Sequence, residues 1–128
     1  MKRILLALCL LALVTACKKT EIEPEGPTDV RVYNNTDQLF ENVVVNTSGG
    51  EYNFGTVSPG TYTPYHRFDK AYPKADISLN IRSYTYATLK QDYTYMQYMG
   101  RMKITYKIFI SNESWRELDT DVVPEGAL

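Results

Sequence analysis

An all-β fold is what this 128-residue chain predicts, and three observations carry it. Apolar residues recur at every second position in several short runs. Those runs are rich in β-branched and aromatic residues, and Gly, Pro, Asn and Ser clusters interrupt them at intervals of about ten residues. The architecture that pattern favours is an antiparallel sandwich of seven or eight short strands. The length suits one compact domain and leaves no room for a (β/α)8 barrel or a two-domain dinucleotide-binding enzyme. A formal net charge of -1 lacks the basic excess that phosphate-backbone binding needs, so nucleic acid is not an expected partner.

The first element is a targeting segment, residues 1–16. Met1-Lys2-Arg3 is a short basic start, and Ile4 to Val14 is an unbroken apolar run, ILLALCLLALV. As a helix this run would reach roughly 16 Å, about half of a hydrocarbon core, which is too short to span but right for a secretory signal. It ends in Val14-Thr15-Ala16-Cys17. With this ending the chain resembles a bacterial lipoprotein precursor. The resemblance implies cleavage before Cys17, a diacylglycerol thioether on Cys17 and a lipid-anchored mature protein in the cell envelope. The absence of Asp after Cys17 implies the outer membrane, on its periplasmic or its surface-exposed face. Cys9 leaves with the signal, so the mature domain keeps no thiol for a disulfide, a zinc site or a nucleophile. It would carry 12 basic residues against 15 acidic ones.

Residues 17–27 then read as lipidated cysteine and linker. Lys18 to Pro27, KKTEIEPEGP, has too little apolar content to fold and could extend to roughly 33 Å. The sandwich is expected over 28–121, with a tail at 122–128. Val30 and Val32 open the alternation. Phe40 to Val45 follows the turn-like Asn34-Asn35-Thr36-Asp37, and Gly49-Gly50 signals a hairpin into the Tyr52/Phe54 strand. Ser58-Pro59-Gly60-Thr61 has the residues of a type II turn. Ile77, Leu79 and Ile81 alternate with Asp76, Ser78, Asn80 and Arg82. Met102, Ile104, Tyr106, Ile108 and Ile110 share one face of the clearest strand. Trp115 is expected to open the last strand and to join the core. Tyr86, Leu89, Tyr93 and Met96 also fit helical spacing. The Thr and Tyr content favours strands there, with Lys90-Gln91-Asp92 as their loop.

A second resemblance rests on Val30-Arg-Val-Tyr-Asn-Asn, Phe40-Glu-Asn-Val-Val-Val, Phe54-Gly-Thr-Val-Ser-Pro-Gly, Ala71-Tyr72 and Gly100-Arg-Met-Lys-Ile-Thr-Tyr106. Over most of 28–120 these segments look like small Bacteroidota lipoproteins similar to immunoglobulin-like sandwiches. That resemblance implies a fold and no mechanism.

Motifs for chemistry are few. One His and no Cys in the mature domain cannot supply a usual zinc ligand set, and no cofactor is expected. His66 reads as an ordinary strand-end residue. No G-x-S-x-G elbow, S-x-x-K pair, phosphate loop or DxDxDG calcium loop occurs. Strand-tip carboxylates remain open as a glycosidase-type pair. Three Asn triplets, at 34, 46 and 112, match the glycosylation pattern and carry little information in a bacterial chain.

Tyrosine is the conspicuous excess, 11 in all. Tyr84, Tyr86, Tyr93, Tyr95 and Tyr98 form a candidate contact surface, flat and amphipathic, suited to sugars or protein surfaces. The same residues would also serve as cross-strand pairs covering a sheet face. The functional expectation is a binding or scaffolding module for an envelope protein or glycan. The alternatives are a small hydrolase using strand-tip carboxylates or His66, and a purely structural envelope component.

Overall fold

The computed structural model describes residues 26–128. The expected signal segment, Cys17 and the linker up to Glu25 lie outside the described residues. The described chain is all-β, with eight strands: β1 Thr28–Asn34, β2 Glu41–Asn46, β3 Glu51–Asn53, β4 His66–Phe68, β5 Asp76–Ile81, β6 Tyr84–Thr88, β7 Met102–Asn112 and β8 Glu117–Ala127.

Alternation translates directly into burial. In β1, Val30 and Val32 are fully buried, and in β7 so are Ile104, Tyr106 and Ile108. Ile77, Leu79 and Ile81 of β5 and Val43 and Val45 of β2 complete the same core with Phe40 and Leu118. Each such aliphatic side chain contributes about 1.5–3 kcal/mol by leaving water. Tyr106 is the largest of the fully buried side chains. Its hydroxyl donates to the Tyr72 carbonyl, which makes so large a polar group tolerable in the core.

All eight strands belong to one hydrogen-bonded sheet in the order β3-β2-β5-β6-β8-β7-β1-β4, curled nearly into a barrel. The expected wholly antiparallel pairing is corrected at two places. β1 runs parallel to β7, and β6 runs parallel to β8. Parallel neighbours need long crossovers, and here the chain returns across the molecule through whole β-segments. The β6–β8 junction is short, with Ala87 opposite Glu117 and Thr88 opposite Leu118.

The turns follow their residues. Gly49 and Gly50 sit in the β2–β3 hairpin, where Asn46 faces Glu51. Gly60, at φ 68°, completes the turn in which the Thr61 N–H donates to the Ser58 carbonyl at 3.3 Å. The segment after this turn runs antiparallel along the edge of β1, with Tyr62 bridged to Tyr33, and is clasped by Arg31. That guanidinium lies 4.0 Å from the Tyr62 ring centre and 4.8 Å from that of Tyr65. Its Nε donates to Thr105 Oγ1 at 3.0 Å.

Three further expectations are corrected. β6 ends at Thr88, and residues 89–99 form neither a second strand nor a helix. Their polar groups bond to neighbouring loops instead: Gln91 N–H to the Asp76 carboxylate at 2.8 Å, and Met99 N–H to the Ala71 carbonyl at 2.8 Å. The Asp92 carboxylate accepts the Thr94 N–H at 3.0 Å, a local bond that competes with regular structure. Trp115 is 80% exposed rather than buried. It sits at the tip of the β7–β8 turn, before β8 begins, where the Arg116 N–H closes onto the Glu113 carbonyl. Finally, 122–128 is no tail, because β8 continues to Ala127 opposite Met102. A shift in register between Lys103 and Ile104 accommodates Pro124, which has no N–H to give.

Candidate functional site

The clearest concavity is a cleft of about 310 Å³ at one end of the sheet. Three connections build it. The β1–β2 loop brings Asp37 and Gln38, the β5–β6 turn brings Arg82, and the β7–β8 turn brings Glu113. Tyr84 and Tyr86 form its aromatic wall, with Ile81 and Ile110 behind them.

Each wall has a local cause. Asn34, fully buried at the end of β1, shapes the first loop. Its Nδ2 donates to the carbonyls of Gln38 (2.7 Å) and Val57 (3.0 Å), and its Oδ1 accepts from the Thr36 N–H and hydroxyl. With both ends of its amide engaged, Asn34 is a structural plug and not a surface acceptor. The β5–β6 connection is a two-residue turn in which Ile81 pairs directly with Tyr84. Arg82 and Ser83 both take positive φ, 51° and 71°. The mirror-image turn a hairpin prefers asks for this, and non-glycine residues adopt it at a cost. Arg116 also has positive φ, 50°, and its guanidinium lies 4.1 Å from the centre of the Tyr84 ring.

Tyr86 is 6% exposed, and its hydroxyl donates to Glu113 Oε1 in a short hydrogen bond. That bond to a carboxylate, followed by burial, raises the Tyr86 phenol above its ordinary value. The phenol therefore stays a donor and holds Glu113 at the cleft wall. Tyr84, 54% exposed, stands at the mouth. The arrangement offers one aromatic face, two cations and two carboxylates around a small depression. Such a set can stack a flat or sugar-like group and bond its polar edges.

The five tyrosines singled out in the sequence do not form one surface. Tyr84 and Tyr86 share a face at the cleft. Tyr93, Tyr95 and Tyr98 lie at the opposite end, beyond the start of β5, where the Tyr93 hydroxyl donates to Asp76 Oδ2 at 3.0 Å. The length of β5, roughly 17 Å, separates the two groups. Tyr93 and Tyr98 turn inward and pack on Tyr72, with ring centres 4.7 and 5.0 Å away. Tyr95 points out, 95% exposed. His66 lies in neither place. It is stacked on Tyr52 where the end strands β3 and β4 meet. Among the described residues no group of three or more His, Cys, Asp or Glu side chains is placed to hold a metal ion.

Sequence reasoning missed Asp37, Arg82, Glu113 and Arg116. Glu113 lies within the Asn112 triplet and Asp37 closes the turn-like Asn34-Asn35-Thr36-Asp37, but nothing in one dimension joins either to Arg82. A second, shallower groove of about 260 Å³ runs along the outer face of β2, β5 and β6, with Glu51, Asp76 and Lys90 on its rim.

No family model matches the chain, and no curated protein does. Among solved structures, an NMR structure of a protein from Eubacterium rectale is similar at 15% identity. The match covers 84% of this chain and 96% of that one, with a TM-score of 0.42. At that level it contributes nothing to the reading of the site.

Proposed function

We propose that this chain is a lipid-anchored binding module of the bacterial outer membrane, tethered through Cys17, whose end cleft engages a glycan or a protein of the envelope. One observation carries the reading: the cleft and the chain entry lie at opposite ends of the domain. Thr28 begins β1 beside the start of β7 and the end of β8. The cleft forms where β1 ends and β7 turns into β8. A tether at the first end leaves the second directed away from its attachment.

The immunoglobulin-like sandwich belongs to the same proposal. The two-pair junction between β6 and β8 divides the sheet into β3-β2-β5-β6 and β8-β7-β1-β4, two halves that share one core. A second reading, an envelope hydrolase, is favoured by Asp37 and Glu113 lining the same cleft, as a carboxylate pair would. His66 has no part in it.

Mass spectrometry of the mature N-terminus tests the anchor: an acylated Cys17 is expected, and an intact residue 1 overturns it. Protease shaving of intact cells reads the membrane face. For the cleft, wild type and Tyr84→Ser are compared in capture of envelope glycans and proteins. Loss of a captured species in the variant supports the assignment, and equal capture removes it. Hydrolysis of envelope polymer that Glu113→Gln abolishes would move the assignment to the second reading.

A further inference from the structure

We infer that the end of the domain opposite the cleft rests on the lipid surface, through the loop 89–99. The inference builds on the anchored reading above and concerns how the folded domain is posed.

The chain enters at this loop. Gly26 lies against Arg101, so closely that a Cβ on Gly26 would sit 2.6 Å from Arg101 Cγ. The Thr28 hydroxyl then bonds the Gly100 carbonyl. Eight residues separate Cys17 from Gly26, and no conformation stretches that stretch of chain beyond about 30 Å. A lipid on Cys17 therefore keeps this end within about 30 Å of the bilayer.

The loop is built for an interface. Tyr93 and Tyr98 face inward onto Tyr72 and close the core, which leaves Tyr95 and Leu89 outside, 95% and 66% exposed. An apolar ring with a hydroxyl suits the headgroup level, where tyrosine is enriched in membrane proteins. Lys90 follows Leu89 directly, and Lys70 lies beside the Tyr98 ring, 5.4 Å from its centre. Lysine stems are long enough for such ammonium groups to reach headgroup phosphate. Acids share this end: Asp92 and Asp76 accept bonds from Thr94, Tyr93 and Gln91, and Asp69 and Glu51 are exposed beside Lys70 and Lys90. The short tether and the exposed Tyr95 and Leu89, rather than net charge, make the occupant a phospholipid bilayer surface.

Trp115, exposed at the opposite end, supplies the control. Full-length acylated protein is reconstituted into phosphatidylethanolamine–phosphatidylglycerol vesicles carrying brominated acyl chains. Wild type reports from Trp115, and Tyr95→Trp in a Trp115→Phe background reports from the loop. Both substitutions replace exposed side chains. The expected result is a blue shift and strong quenching at position 95 with none at 115. Flotation with the vesicles but no quenching at 95, or quenching at 115, overturns this inference and leaves the anchor standing. Failure to float, with no acyl group on Cys17 by mass spectrometry, overturns the anchored reading and this inference with it.

Discussion

The imidazole of His66 lies flat on the ring of Tyr52, with centres 3.6 Å apart and planes 7° from parallel. The two residues belong to β4 and β3, the end strands of the sheet. Ring contact therefore meets across a seam where no backbone ladder runs, and Phe54 and Phe68 add edge-on contacts to His66. Aromatic pairs contribute about 0.5–1.5 kcal/mol beyond area burial. A double-mutant cycle with Tyr52→Ala and His66→Ala should give a coupling of about 1 kcal/mol in urea unfolding. Additive effects would show that the rings are neighbours and no more.

The same seam depends on Gly49. A Cβ there would fall 2.6 Å from the Lys70 carbonyl oxygen and 2.8 Å from its backbone nitrogen. Backbone cannot swing aside as a side-chain tip can. The two loops also share a bond from the Asp69 N–H to the Gly49 carbonyl at 3.2 Å. Gly49→Ala should lower stability by about 1–3 kcal/mol, as overpacking does. Gly55, which has open space around it, is the comparison: Gly55→Ala carries only the cost of its positive φ. Equal melting temperatures for wild type and Gly49→Ala would refute the close approach.

Asn34 offers a test at the cleft. Replacing it with Ala empties the site its buried amide fills and leaves the Thr36 N–H without its acceptor, while the Val57 carbonyl keeps the Phe40 N–H and the Gln38 carbonyl keeps the Thr36 hydroxyl. Unsatisfied buried groups cost about 1–3 kcal/mol each where water cannot reach them. We expect Asn34→Ala to lose at least about 2 kcal/mol and to loosen the β1–β2 loop, read as faster amide exchange at residues 36–40. Unchanged exchange there would mean the loop is held by something other than Asn34.

Acid should weaken the fold partly through Glu125. Its carboxyl lies below the usual carboxylate range because the Thr105 hydroxyl donates to it, with Arg31 adding a weaker pull against some burial. The unfolded chain, with a value of about 4.3, then binds more protons than the native one as pH drops. Stability from this group is full above about pH 4.3 and is lost as pH falls through the lower native value. Glu125→Gln should flatten the dependence of the urea midpoint on pH in that window. Parallel profiles for the two proteins would exclude the contribution.

Much of the fold was legible because burial in a sheet has a period of two. Val30/Val32, Ile77/Leu79/Ile81 and Ile104/Tyr106/Ile108 announce which side faces inward, whatever strand lies alongside. The hairpin at Gly49-Gly50 and the turn at Pro59-Gly60 were legible for a similar reason, since few residues accept those backbone angles. The Arg82-Ser83 turn was hidden, as neither residue advertises positive φ. The loop 89–99 was misjudged because Tyr and Thr favour strands by side-chain shape, whereas Asp76 and Ala71 bind this segment from elsewhere in the chain.

The sequence by itself thus determined the all-β class, the inward faces and the position of the main turns, all of which depend on neighbours within a few residues. Only the tertiary structure decided that β1 lies parallel to β7, that His66 meets Tyr52, and that Asp37, Arg82 and Glu113 share one cleft. Strand order and turn clustering arise from contacts between residues far apart in the chain. Those contacts are selected by how one curled sheet encloses a common core, and no local pattern encodes that choice.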